Sequence, residues 1–258
     1  MTRVLDDLVI LLNTFCNLSC SYCHFTTTGP AQQREMDRES LNRLLRIFFD
    51  HASADPLIPR VICLNADGEV LMSRQLLEHA LTTIASLRDE YGLERTHVVM
   101  VTNATLIGDD VARLLADHGV GITVSMDGPP GVNDTHRTRG DRSPSSPAVA
   151  DGIRALAARG VGVSVRAVVT PETVDRMEAS YRFLRSLEPL RLIKLRPVRT
   201  GPLSHDRAFL ERYHERYLEL TETLVEERTP FAELPDDASH MARYWLEDHP
   251  RGGYCNAG

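Results

Sequence analysis

Three of the chain's five cysteines, Cys16, Cys20 and Cys23, fall within eight positions of a 258-residue sequence. They stand in "NTFCNLSCSYCHF" (13–25), directly after an apolar run and ahead of a polar loop. Thiols so spaced serve a disulfide knot, a zinc site or an iron–sulfur cluster. The N-terminal "MTRVLDDLVILLN" has only a short apolar run behind Asp6 and Asp7 and no signal-peptide cleavage pattern, so the expected compartment is the cytoplasm, where thiols stay reduced. An odd cysteine count, with Cys20 and Cys23 so close together, further disfavours a disulfide framework. Structural zinc takes four ligands, usually as two C-x2–4-C pairs. His24 is awkwardly placed beside Cys23 for shared chelation, so zinc would need a distant Cys63 or histidine. A cubane cluster normally takes one thiolate per iron. Three thiolates leave one iron open, and an open iron is where a substrate or cofactor binds.

Such a site needs a scaffold, and the apolar patterning supplies one. Hydrophobic residues make up 42% and charged residues 25% of the chain, an ordinary globular balance. A net charge of −7 argues against a broad nucleic-acid or membrane surface. Strand-like runs at 8–13, 60–65, 97–102, 120–126, 161–170 and 190–198 alternate with helical patterns at 38–52, 73–92, 108–119, 146–160 and 172–187. Ser73 is the expected N-cap and Gly92 the expected stop of the second helix. Strands apolar on both faces predict a parallel sheet with crossover helices. The expected fold is therefore α/β, a partial (β/α)6 TIM-like barrel whose working face is at the carboxyl ends of the strands. The cysteines follow the first strand and so belong to that face. Beyond residue 200 the pattern changes to a long charged helix (205–229) and a shorter one (236–250). "GDRSPSSP" (140–147) is the most loop-like stretch.

C-x3-C-x2-C, with Tyr22 just before its last cysteine and a place after the first strand, resembles the radical S-adenosylmethionine (SAM) superfamily. The resemblance implies one 4Fe–4S cluster on Cys16, Cys20 and Cys23, whose open iron chelates SAM. Reductive cleavage then yields a 5′-deoxyadenosyl radical that abstracts a substrate hydrogen. Further segments match in order. "DGEVLM" (67–72) is similar to the Gly-Gly-Glu-Pro segment whose backbone and acid meet the methionine amine; Gly68 and Glu69 carry over, while Asp67 and Val70 depart from it. "VTNATL" (101–106) resembles Thr-Asn-Gly-Thr, with Asn103 retained and Ala104 in the glycine's place. In "VSMDGPPGVNDTHR" (124–137), Ser125 is implied to bind the ribose, and Asp127 and Arg137 to shape the SAM pocket. The resemblance also implies that Arg166 on the fifth strand points towards that pocket and that Leu195 on the sixth borders the adenine. Taken alone, Asp127 in Asp-Gly-Pro is a turn residue and Ser125 or Asn103 a helix cap; in this setting Asp127 is also the candidate acid–base group.

The terminal "CNAG" at Cys255 resembles the opening of a SPASM extension. Residues 1–200 are therefore expected to form the radical SAM core, and 201–258 a helical segment leading into a truncated or absent extension. Auxiliary clusters are expected only in a longer chain. The resemblance implies a peptide maturase that crosslinks or otherwise modifies a ribosomally made precursor peptide. A sulfatase maturase-like formylglycine former is the alternative. It also implies a reductant such as flavodoxin or ferredoxin, and neither nucleic acid nor membrane as partner. The rival from another class is a degenerate barrel that binds a cluster or zinc without turnover, for which Asp67, Val70 and Ala104 speak.

Overall fold

A computed structural model describes residues 6–23, 33–187, 190–199, 206–229 and 235. The expected helix at 236–250, His24 and the terminal "CNAG" lie outside the described residues. Six parallel strands form one sheet in sequence order: β1 (Asp7–Leu11), β2 (Arg60–Asn65), β3 (Thr96–Thr102), β4 (Gly121–Ser125), β5 (Val163–Val169) and β6 (Leu190–Pro197). β1 and β6 are its two edges, so the sheet is open, the partial (β/α)6 barrel that the patterning predicts.

Between the strands run α1 (Arg38–Ala52), α2 (Arg74–Tyr91), α3 (Asp109–Asp117), α4 (Pro130–His136), α5 (Ser146–Ala158) and α6 (Met177–Arg185), with α7 (Arg207–Glu226) after β6. Burial alternates along each strand because one face meets helices and the other looks into the open concavity. In β5, Val163, Val165, Ala167 and Val169 are buried, whereas Arg166 is exposed. The buried positions join the inward stripes of the helices, among them Leu41, Leu45, Phe48 and Phe49 of α1, in one apolar cluster. α7 belongs to the same cluster through Phe209, Tyr213, Tyr217, Leu220 and Leu224, and Tyr213 Oη donates to the Leu195 carbonyl at 2.9 Å.

The helix ends follow their residues' chemistry, with one exception. Gly92 ends α2 at φ 65°, a conformation that costs a residue with a Cβ about 1 kcal/mol. Asp37 caps α1 through Ser40 N. Ser73 stands at the N-cap of α2 but makes no side-chain cap bond, because a 3-10 turn over Val70–Ser73 precedes the helix and Ser73 Oγ accepts from Asn13 Nδ2 at 2.8 Å. Pro130, at a first helical position, opens the short α4. The loop-like 140–147 segment is tied down by a Thr138–Pro144 bridge and by Asp134, which accepts from Ser145 N and Ser146 N.

Candidate functional site

The cysteine segment is an extension of β1 beyond its last paired residue. Leu12 N bonds Asn65 O at 2.8 Å, Asp67 N bonds Asn13 O at 3.0 Å, and Glu69 N bonds Phe15 O at 2.8 Å. The parallel ladder thus runs past both strand ends and lays Phe15 against Gly68. The approach is so close that a Cβ on Gly68 would stand 1.9 Å from Phe15 O and 2.7 Å from Phe15 N. Only glycine fits there. Asn13 locks the same junction, donating to Glu69 O at 2.9 Å and Ser73 Oγ at 2.8 Å and accepting from Phe15 N at 3.2 Å.

The loop from Asn17 to Cys23 is held from two sides. Ser19 N bonds Thr138 O at 2.7 Å, Ser21 N bonds His136 O at 3.0 Å, and Ser21 Oγ pairs with His136 Nδ1 at 2.7 Å. On the other side Asn17 donates to Thr105 Oγ1 at 2.8 Å and accepts from Asn103 Nδ2 at 2.9 Å. Donors also turn towards sulfur. Leu18 N lies 3.4 Å and Asn103 Nδ2 3.7 Å from Cys16 Sγ, and Arg137 Nη1 lies 3.9 Å from Cys20 Sγ. Burial pushes both thiols up, Cys20 to about 11 although the Arg137 charge works against it.

Under the loop lies a buried polar knot. Asp127, 3% exposed, accepts from Tyr22 Oη at 2.6 Å, Arg137 Nε at 3.1 Å and Val168 N at 2.9 Å. The Arg137 guanidinium lies 5.5 Å from the Tyr22 ring centroid. Burial opposes the Arg137 charge, but Asp127, Tyr22 and Cys20 together outweigh burial and hold the guanidinium above its usual range. Burial likewise raises Tyr22, so it stays a phenol that donates. Both oxygens of Asp127 already accept bonds within the protein, and its work is to bind the cysteine loop to β5.

Glu69 is buried as well. Its carboxylate turns inward and accepts from Thr102 Oγ1 at 2.6 Å, Leu71 N at 3.1 Å and Asn103 N at 2.7 Å, with burial raising its pKa against those bonds. Ala104 occupies the expected glycine position with φ 59°, and the Gly152 face of α5 packs on it so closely that a Cβ there would lie 2.3 Å from Ala104 O.

Ser125 and Arg166 are register partners on the concave face. Leu195 is 1% exposed and pairs with Ala167 on the helix-covered face, while Lys194 and Arg196 alternate onto the open one. Patterning missed Asn13, Thr102, Asn17 and His136, whose bonds hold the site together. Their one sequence signal was position, at a strand's end or beside a recognised segment.

Three thiols with N–H donors turned towards two of them are a donor set that suits an iron–sulfur cluster. Among the described residues no three His, Cys, Asp or Glu side chains close on one metal ion. A cubane takes one thiolate per iron, so its ligands stand farther apart. Cys63 sits on β2 within electrostatic reach of Arg166 and Asp7.

Residues 10–184 match the family described as the radical SAM superfamily. The chain belongs to that superfamily. Superfamily membership implies a 4Fe–4S cluster and SAM. A serine-type anaerobic sulfatase-maturating enzyme of Bacteroides thetaiotaomicron is 27% identical over 191 residues, which are 74% of this chain and 45% of that protein. Native anSMEcpe with bound AdoMet superposes with a TM-score of 0.80 over 96% of this chain and 68% of that one, at 16% identity. Streptococcus suis SuiB bound to precursor peptide SuiA gives 0.63 over 87% and 47%, at 17% identity. At such identities the likeness shows the radical SAM partial-barrel fold. The chain spans about half the length of the curated relatives it matches. No described helix is long and apolar enough to cross a membrane.

Proposed function

We propose that the chain is the barrel of a radical SAM enzyme that modifies a peptide, with Cys16, Cys20 and Cys23 ligating one 4Fe–4S cluster and SAM seated between that cluster and the concave face. The observation that carries this reading is the Gly68–Phe15 contact, which fixes the start of the cysteine loop against the backbone that would meet SAM's methionine end. When bound, the reduced cluster supplies the electron that cleaves SAM to a hydrogen-abstracting 5′-deoxyadenosyl radical. The chain's own residues bind and orient. Leu18 N, Asn103 Nδ2 and Arg137 Nη1 offset charge on the thiolates, Ser125 meets the ribose, and Arg166 stands on the same face. Tyr22, Asp127 and Arg137 hold the loop rigid and move no proton.

Peptide modification is favoured because a relative is named for sulfatase maturation and a structural neighbour is bound to a precursor peptide. Crosslinking of a ribosomally made peptide is the preferred chemistry, with a flavodoxin- or ferredoxin-like reductant. The test is anaerobic reconstitution with SAM and a strong reductant, followed by assay of iron and 5′-deoxyadenosine. About four irons per chain and product from the wild type and Cys63→Ser, with neither from Cys20→Ala, is the expected result. Equal product from Cys20→Ala overturns the ligand assignment. A candidate precursor peptide that loses a pair of hydrogens marks crosslinking, and a sulfatase peptide converted to formylglycine marks the alternative.

A further inference from the structure

β1 leaves one edge of its backbone open. Val61 N bonds Asp6 O at 3.0 Å and Leu12 N bonds Asn65 O at 2.8 Å, so the even residues of the strand turn their backbone groups to β2. Sides alternate along a parallel pair, and the N–H and C=O groups of Asp7, Val9 and Leu11 therefore face away from the sheet. Among the described residues these outward groups have no bond. Just above them the same edge already takes a partner: Thr14 N bonds Arg34 O at 3.0 Å and Met36 N bonds Leu12 O at 2.9 Å, with Asn13 and Glu35 in an antiparallel bridge. The chain leaves the edge there, because Asp37 caps α1. Side chains of the open stretch lie on the concave face. Val9 is 61% and Leu11 41% exposed, and register sets Val9 in one row with Cys63 and Val99. Asp7 stands on that face two residues below Val9, with Asp6 next to it; both are exposed, and among the described residues no ion pair or side-chain hydrogen bond reaches either. An open apolar edge is a template for another strand.

We propose that this edge of β1 receives an extended segment of the peptide substrate as an added antiparallel strand, with apolar residues opposite Leu11 and Val9 and a Lys or Arg opposite Asp7. This rests on the peptide-modifying reading above and adds to it the way the peptide is held and the class of peptide that fits. β1 runs directly into the cysteine loop, so an antiparallel strand beside it brings its amino end to the site. Antiparallel pairing is the direction that Arg34–Met36 already uses on this edge, and it is slightly the more stable. The free carboxylates at the lower end call for a cation on the incoming chain. A second copy of this chain fits worse, because two-fold pairing about Val9 would set each Asp7 carboxylate against the other copy's Leu11. Main-chain bonds then supply affinity, and alternate side chains supply selectivity.

The probe is fluorescein-labelled Gly-Val-Thr-Val-Thr-Lys-Gly, titrated by anisotropy into the reconstituted full chain. In the proposed register both valines present their N–H groups to β1, so the peptide N-methylated at the two valines is the backbone control. The peptide with Glu in place of Lys is the charge control. N-methylation is expected to weaken binding at least about tenfold. The Glu peptide should bind roughly threefold to tenfold more weakly than the Lys peptide, with the gap closing as salt rises. Asp7→Lys should reverse that charge preference. Val9→Pro removes an outward N–H and no bond to β2, and should weaken the Lys peptide about tenfold at a wild-type iron content. Equal binding of the plain and N-methylated peptides overturns strand pairing. A charge preference that Asp7→Lys leaves unreversed overturns the cation opposite Asp7. A concentration-dependent dimer in sedimentation that Val9→Pro abolishes overturns the peptide as occupant, since the edge then takes a second copy. Selective peptide binding without 5′-deoxyadenosine sinks the radical reading alone, and 5′-deoxyadenosine without selective binding sinks the added strand alone.

Discussion

Gly68→Ala adds one methyl group at the point where the cysteine loop begins. The new Cβ would lie 1.9 Å from Phe15 O and 2.3 Å from Phe15 C, and real Cβ atoms essentially never come within 3.0 Å of such neighbours. Both contacts are backbone, so no side chain can swing aside. The Phe15 carbonyl must retreat by about 1 Å, a displacement read from that same contact. The retreat strains the bond from Glu69 N, worth about 1 kcal/mol, and overpacking of this kind costs about 1–3 kcal/mol more. A total of about 3 kcal/mol lowers the melting temperature of a chain this long by roughly 6–12 °C. Because Cys16 follows Phe15 directly, the cluster should suffer too. The assays are urea unfolding of the metal-free protein and iron content after reconstitution. Gly92→Ala is the control, since its position has φ 65° but nothing within 4 Å of a Cβ. It should lose about 1 kcal/mol and keep its iron. A Gly68→Ala protein with wild-type stability and wild-type iron would refute the argument that backbone contact builds this site.

Two further substitutions test the polar supports. Asp127→Ala leaves the Arg137 guanidinium buried without its partner, a change that costs about 3–5 kcal/mol; urea midpoints will show the loss, and an Asp127→Ala protein as stable as wild type but inactive would instead point to an acid–base role. Burial works against the Asp134 carboxylate, but the Ser146 hydroxyl, the Asn133 amide and the Ser146 and Ser145 N–H groups outweigh it and hold its pKa below the usual value. A depressed folded pKa gives stability that is present above the unfolded carboxyl value and is lost as pH falls through the folded one. The gap between wild type and Asp134→Asn in urea midpoint should therefore narrow from neutral pH towards acid, and a gap constant with pH would contradict the assignment.

The sequence by itself determined the order of six βα units, the parallel sheet and the face on which the cysteines sit, because strand and helix periodicity are local and each crossover returns to the same edge. It also determined the three thiols and the flanking Gly68, Asn103 and Ser125, because short motifs keep their spacing in the chain. What only the tertiary structure decided was the direction each polar group faces. Glu69 turned inward because Thr102 and two backbone N–H groups wait there. Asp127 became a tie because residues 105 positions before it and 10 after it, Tyr22 and Arg137, converge on its oxygens. Leu195 went to the helices and Arg196 to the concavity because adjacent strand residues take opposite faces, and only the packing of α7 shows which face is covered. Patterning reports which residues alternate. The long-range contacts that satisfy buried charges and hydrogen-bonding groups decide what each one does.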